Sequence, residues 1–199
     1  YSLSADTLFY FSKIDSGSAN GNAILKQDNQ TISGQKIEYK EFPDSKGVSY
    51  AARGSVTILE QERLATCGEA VYDRKNGKTT LRINPEITDN GQVITGSEIF
   101  LKYKEDVLQD IFIPKDARAI RPTNGTREWF EVVDGDTSTF TDSASFVDDM
   151  TGSTLRGFFV DGSLDSLRLE GMATTIYHLF EDSVYQGRNL VSGDTISMK

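Results

Sequence analysis

One histidine, His178, and one cysteine, Cys67, stand in this 199-residue chain beside 30 carboxylates. A lone imidazole leaves no room for a histidine-rich metal site, and it admits a Ser-His-Asp relay only with His178 as its base. A lone cysteine forms no internal disulfide, holds no metal by itself and leaves the redox compartment unread. Carboxylates about 5 to 10 Å apart could hydrolyse a glycosidic bond. Glu60 with Glu62, and Asp148 with Asp149, are the neighbouring pairs to consider, but an acidic chain supplies such pairs in any case. Asp134-Gly135-Asp136-Thr137-Ser138 hints at a calcium loop, yet its glycine comes second rather than sixth and no glutamate stands twelfth. The expectation is a chain with no catalytic residue, no metal and no cofactor. His178, beside Leu179 and Phe180, reads as a half-buried strand residue, and Cys67, beside Gly68, as a small buried hydrophobe. Trp129 in Arg127-Glu128-Trp129-Phe130 reads as a core anchor, with an aromatic contact to a ligand or partner as the alternative.

Charge narrows the partners. The formal balance is −9, and the stretch from Glu131 to Ser166 carries eight acids against Arg156 alone, or −7. With no run of lysine or arginine there is no footprint for a phosphate backbone, so nucleic acid is excluded as a partner. The acidic stretch reads as a solvated loop region. Apolar runs such as Ile111 to Pro114 and Leu155 to Val160 fall far short of the roughly 20 residues of a membrane helix. The chain opens at Tyr1 with neither methionine nor a basic-apolar leader, which points to a removed targeting segment or an excised piece.

The elements that must position these residues are strands. Polar and apolar residues alternate with a period near two, carried by Val, Ile, Thr, Tyr and Phe, as in Gly54-Ser55-Val56-Thr57-Ile58 and Ala173-Thr174-Thr175-Ile176-Tyr177-His178-Leu179. Turn signals separate them at Ser16-Gly17, Asp28-Asn29, Pro43-Asp44, Asn76-Gly77, Asn90-Gly91, Asn124-Gly125, Asp134-Gly135 and Asp161-Gly162. Only Leu59 to Ala65 has helix-favouring composition. The fold class is all-β, with a dozen or more short strands.

A repeat rises above this background. Gln30-Thr31-Ile32-Ser33-Gly34-Gln35-Lys36-Ile37-Glu38-Tyr39-Lys40 aligns without gaps to the segments Gln92 to Lys102 and Asn189 to Lys199, with a weaker copy at Met150-Thr151-Gly152-Ser153-Thr154-Leu155 and a shorter one at Gly68. Strands that begin at Gly21, Gly54 and Gly171 precede several copies, which makes the unit a hairpin. A glycine at each strand start lets a long sheet bend and stack where a Cβ would collide. The Gly-to-Gly offsets of the copies are too uneven for a rigid solenoid.

Units of the form Gly-x-Val-x-Ile, a turn, then apolar-x-Gly-x-x-Ile-x-Tyr resemble the OstA-like (LptA-type) family of lipopolysaccharide-transport domains. The resemblance covers most of residues 7 to 121 and again about 145 to 199. It implies an open β-jellyroll of stacked hairpins, a folded sheet with a greasy interior that holds acyl chains. It further implies no catalytic residues, a periplasmic location, lipopolysaccharide or another acyl lipid as ligand, and other β-jellyroll domains as partners through strand-edge stacking. Residues 1–121 and 147–199 would then be jellyroll repeats, continuous with each other, with 122–146 an acidic insertion or join. On the matched strands the inward, lipid-binding face would be Ala23, Leu25, Ile37, Tyr39, Val56, Ile58, Ile99, Leu101, Tyr177 and Ile196. The residues alone leave a dry core, and with it a purely structural β-repeat or adhesion module, as the alternative. An acidic mouth would repel an anionic lipid unless the acidic stretch lies elsewhere.

Overall fold

The structure, a computed structural model, describes residues 1–27, 29–42, 45–105, 107–160 and 163–198. Within them every regular element is a strand: β1 (Ser2–Ser4), β2 (Thr7–Phe11), β3 (Ser16–Gln27), β4 (Gln30–Phe42), β5 (Ser45–Glu60), β6 (Arg63–Asp73), β7 (Lys78–Arg82) and β8 (Glu86–Asp89). The series continues with β9 (Gln92–Thr95), β10 (Glu98–Lys104), β11 (Val107–Ile113), β12 (Ala117–Val133), β13 (Asp136–Gly152), β14 (Thr154–Val160), β15 (Ser163–Glu181) and β16 (Val184–Met198). All sixteen join one sheet. Alternation decides what each strand buries. In β14, Leu155, Gly157 and Phe159 face inward while Arg156, Phe158 and Val160 face out.

The sheet is folded along a line of corners, so that each rung has one arm in each of two layers. Successive rungs are β1 with β2, then β3, β4, β5 and β6, then β7 with β8, β10 with β9, β11 with the start of β12, β14 with the end of β13, β15 and β16. Layer A contains β2, β7, β10, β11 and β14; layer B contains β1, β8, β9 and the inner halves of β12 and β13. The long strands β3 to β6, β15 and β16 serve both layers. Pairing is antiparallel apart from a parallel bridge of Thr126 to Val184.

The glycine units mark the corners. Gly21, Gly54 and Gly171, expected at strand starts, lie in the middle of β3, β5 and β15, where the register slips between Asn20 and Ala23, Arg53 and Val56, and Glu170 and Ala173. At each slip two residues face one on the neighbouring strand, which bends the strand. Both extra residues are left-handed: Gly54 has φ +79° and Ser55 +48°, and the pairs Gly21-Asn22 and Gly171-Met172 match them. Ile83-Asn84 turns the same corner without glycine, at φ +65° and +52°. On the rungs between, the repeat copies place Gly34, Gly68, Gly96, Gly152 and Gly193 at the fold line. Backbone bonds stitch it, with the Gly68 N–H donating to the Ile83 carbonyl and the Ser153 N–H to the Gly171 carbonyl, both at 2.9 Å.

Three other local signals resolve differently. Asn124-Gly125 is not a turn but lies inside β12, because a Phe180 ring packs where a Gly125 Cβ would stand, 2.8 Å from its Cδ1. Leu59 to Ala65 is the β5–β6 hairpin, closed by Gln61 at φ +54°. The turn assigned to Ser16-Gly17 occupies the residues just before, and β3 starts at Ser16. The signals at Asp28-Asn29, Pro43-Asp44 and Asp161-Gly162 lie wholly or partly outside the described residues.

Between the layers sits a continuous apolar core, with Leu25, Ile32, Ile37, Leu81, Ile99, Ile111, Ile113, Leu155 and Leu169 essentially inaccessible. Each such side chain stabilises the fold by about 1.5–3 kcal/mol relative to exposure. On the outside of layer A, near the corners, charges alternate across five strands. Lys36 pairs with Glu38 at 2.7 Å, Arg53 with Glu38 at 2.6 Å and with Glu69 at 2.8 Å, and Arg82 with Glu98 at 2.5 Å. Exposed pairs add only about 0–1 kcal/mol each. A one-residue slip would turn the charges of one strand to the other face and break these pairs, so the ladder also favours the register.

Cys67 is buried in this core, and burial pushes its thiol up to about 11. The folded protein at pH 8 should therefore react with an aromatic disulfide reagent at least 100-fold more slowly than the urea-unfolded chain. A labelling time course followed by absorbance checks this, and equal rates would contradict the buried, protonated thiol.

Candidate functional site

Opposite the corners the layers part. The far ends of the rungs form a mouth between the β5–β6 and β8–β9 turns of layer B and the outer ends of β11, β14 and β15 in layer A. Two adjoining clefts lie there, of about 710 Å³ and 200 Å³, sharing Gln92, Ile94 and Leu164. The larger opens at the rim between Glu60, Glu62, Asp89 and Arg63 and reaches Leu108 and Phe159. The smaller runs inward past Ala119, Met150, Leu167 and Met198. An apolar cavity of about 150 Å³ is already enough for a benzene-sized guest, so the smaller cleft, floored mainly by apolar side chains, can admit hydrocarbon, while the larger is lined mainly by polar groups.

The interior is not equally open along the stack. Around β5, β6 and β10 it is filled by Tyr50, Tyr72 and Tyr103, leaving a space of only about 10 Å³ beside Ile58 and Leu101. Burial raises the Tyr50 and Tyr103 hydroxyls well above the ordinary phenol range, and Tyr103 donates to Glu60 Oε2 at 3.3 Å.

At the rim Arg63 donates through Nη2 and Nε to Asp89 at 2.8 and 3.0 Å, and its guanidinium lies 5.4 Å over the Phe159 ring. The acidic residues 131–142 are elsewhere, on a ribbon in which β12 and β13 run on together beyond the layers. The β15–β16 hairpin also projects, and Phe146 packs there against Phe180 and Tyr185 at centroid distances of 5.2 and 4.6 Å. Asp148 joins the two hairpins. Its carboxylate, 1% exposed, accepts from Arg121 Nη2 at 2.6 Å and from the His178 backbone N–H at 2.8 Å, with His178 Nδ1 at 3.0 Å. Burial pushes this carboxyl up, but the Arg121 guanidinium and the His178 bonds together hold it below its ordinary value. Arg121 also lines the smaller cleft.

A family model described as LptA/(LptD N-terminal domain) LPS transport protein matches residues 3–107. The chain belongs to this family. It is a family of transport proteins, and the jellyroll implied by the family resemblance is the architecture described above. The match runs from β1 through β10, and the corners and rungs of this LptA/LptD-type sheet continue past its end, so strands from inside and outside the matched stretch wall the clefts together. Among solved structures the chain is similar to LptH, the LptA-homologous periplasmic component of the conserved lipopolysaccharide transport device from Pseudomonas aeruginosa. Identity is 14%, the TM-score 0.48, and the likeness covers 54% of this chain and 78% of that one. No curated protein matches.

Of the inward-face residues read from the family resemblance, Ala23, Leu25, Ile37, Val56, Ile58, Ile99 and Leu101 are buried in the core, and Tyr39 and Ile196 pack partly against it. Tyr177 stands apart. β15 has left the layer by then, and the Tyr177 hydroxyl accepts from Asn189 Nδ2 at 2.8 Å on the projecting hairpin. Ala23 and Val56 border open grooves of about 300 and 410 Å³ along the corners, and none of the ten lines the two clefts at the mouth. The residues that do were missed, although Ile94 and Met198 sit inside the repeat copies. No position within the copies marks the mouth, since Ile32 holds the same place as Ile94, and Leu101 the same as Met198, and both are buried in the core. Glu60 and Glu62 are on the rim, and Asp149 pairs outside with Arg118 at 2.8 Å. Among the described residues no group of three or more His, Cys, Asp or Glu is disposed to hold a metal, and no helix is long and apolar enough to cross a membrane.

Proposed function

We propose that this chain carries lipopolysaccharide, or another acyl lipid, by taking its hydrocarbon between the two layers through the mouth, without catalysing any reaction. The observation that carries the reading is an apolar-floored cleft between the layers, reached through a wider polar-rimmed one, in a chain of a lipopolysaccharide-transport family. Acyl chains enter past Leu108, Phe159 and Leu164 and lie against Ile94, Leu167 and Met198. The head group stays in water outside the polar rim. Each methylene removed from water contributes about 0.8 kcal/mol, so roughly ten buried methylenes suffice for tight binding. Apart from Tyr177, the inward-face residues form the deeper wall, reached where the layers separate further, with Ile58 and Leu101 nearest the entrance. The protein works in the periplasm as a bridge, and like domains join it at β1 and β2 on one end and β16 on the other, where Phe9, Tyr10 and Leu190 are exposed.

Leu164 is 38% exposed, so Leu164→Glu should fold normally. It should weaken uptake of a fluorescent acyl probe at least tenfold, since a charge must leave water for the chain to enter. A photoreactive residue at Ile94 or Ile99 should capture lipopolysaccharide, while one at the outward corner residue Ser55 should not. Absence of probe uptake by the unaltered protein, or equal capture at Ser55, would leave a structural β-repeat module in place of the carrier.

A further inference from the structure

The outer face of layer A carries a second patch that the ion ladder does not use. On neighbouring strands Phe100 stacks on Phe112 at 6.2 Å, with Lys78 Nζ 4.5 Å over the first ring and Arg156 4.5 Å over the second. Lys78 stands directly opposite Lys102, and Arg156 opposite Arg168. Like charges in such positions repel. Arg168 is paired with Glu170 at 2.7 Å; Asp110 faces Lys102 and Asp73 faces Lys78 across the strands, with the Asp73 carboxylate accepting from the Lys75 N–H and Asn76 Nδ2 in the β6–β7 turn. Among the described residues Lys78, Lys102 and Arg156 have no ion pair. The patch is therefore basic, ringed around two aromatic faces, on a chain whose net charge is −9.

The same chain carries the complement. From Arg127 to Thr141 every residue of the β12–β13 ribbon is exposed. Trp129 stacks on Phe140 at 5.7 Å, Phe130 and Val132 project from the opposite side, and Glu128, Glu131, Asp134 and Asp136 make no ion pair among the described residues. An acidic tip of this kind is repelled by an anionic lipid surface, whereas a basic aromatic face attracts it.

We propose that the acidic aromatic ribbon of one copy docks on the basic aromatic face of layer A in a second copy. The two surfaces differ, so the contact is head-to-tail and leaves a free ribbon and a free face at the ends of the assembly. It uses neither the strand edges nor the mouth, and it does not depend on lipid carriage.

Sedimentation velocity across a range of protein concentrations tests this. Association should be evident at about 20 mM salt and weaken about tenfold or more at 500 mM, because exposed charges are screened within a few ångströms there. Lys78→Glu with Lys102→Glu should abolish self-association, and so should Glu131→Lys with Asp134→Lys. All four positions are exposed, and unchanged thermal unfolding would certify both folds. A mixture of the two variants should associate again, since the reversed face of one now matches the reversed ribbon of the other. A monomer at every concentration in low salt, association that both reversals leave intact, or a mixture that stays monomeric would each overturn the proposal.

Discussion

Replacing Asp148 by alanine is expected to cost about 3 kcal/mol of folding stability, whereas the same change at its neighbour Asp149 should cost less than about 1 kcal/mol. The two carboxylates pair with arginines at similar distances, 2.6 Å to Arg121 and 2.8 Å to Arg118, but the Asp148 side chain is 1% exposed and that of Asp149 is 29%. Removing Asp148 leaves the His178 N–H and the Arg121 guanidinium without their acceptor. Breaking a fully buried pair costs about 3–5 kcal/mol; the half-exposed Arg121 regains water, which places the loss at the lower end. For a chain of this size that is a drop of about 6–12 °C in Tm. Asp148→Asn keeps an acceptor for the His178 N–H and should fall in between. Urea unfolding at pH 7 measures all three, and a loss below about 1 kcal/mol for Asp148→Ala would mean that this carboxylate does not tie the two hairpins together.

Acid should narrow the difference. The Asp148 carboxyl titrates lower in the folded chain than in the unfolded one, so its charged-state contribution is complete above the unfolded titration range. It is lost as pH falls through the depressed folded value. The gap between unaltered protein and Asp148→Ala should therefore shrink on acidification, and a gap that widened would contradict the assigned sign.

The second large effect is expected at a corner. Gly54→Val should destabilise by about 2–4 kcal/mol, against about 1 kcal/mol for Gly91→Ala. Both glycines are left-handed, at φ +79° and +78°. A Cβ on Gly54 would stand 2.8 Å from the Gln35 Cβ, while one on Gly91 meets nothing within 4 Å. A β-branched side chain at Gly54 therefore adds a collision to backbone strain. If the two variants unfolded at the same denaturant concentration, the bulged corner would not be the constrained point of the fold.

Much of this fold is written locally. Alternation in segments such as Thr154–Val160 fixes which residues go inside, because the two faces of a strand take successive side chains. The repeat copies at Gly34, Gly96 and Gly193 announce a device used again and again, and they support the family assignment. The use of that device was less visible. Gly54 and Gly91 are both glycines beside polar residues, yet one bends a strand and the other closes a hairpin; Gly125 does neither, and yields its space to Phe180. The candidate site was harder still to read. Strand parity placed Leu25, Ile37 and Ile99 inside but said nothing of how close the facing layer comes, so the filled interior at Tyr50 and Tyr103 and the open clefts at Ile94 and Leu164 have similar local patterns.

By itself, the order of residues determined the all-strand class, the side of each strand that avoids water, and the family, since these depend on backbone sterics and on side chains a few positions apart. Only the tertiary structure decided where the layers part, which of two adjacent aspartates is buried, and that 122–146 belongs to a projecting ribbon. Those outcomes rest on residues distant along the chain, such as Asp148 bonded to His178 and Ile94 and Leu164 lining one cleft, whose spacing is set by the folding of the whole sheet.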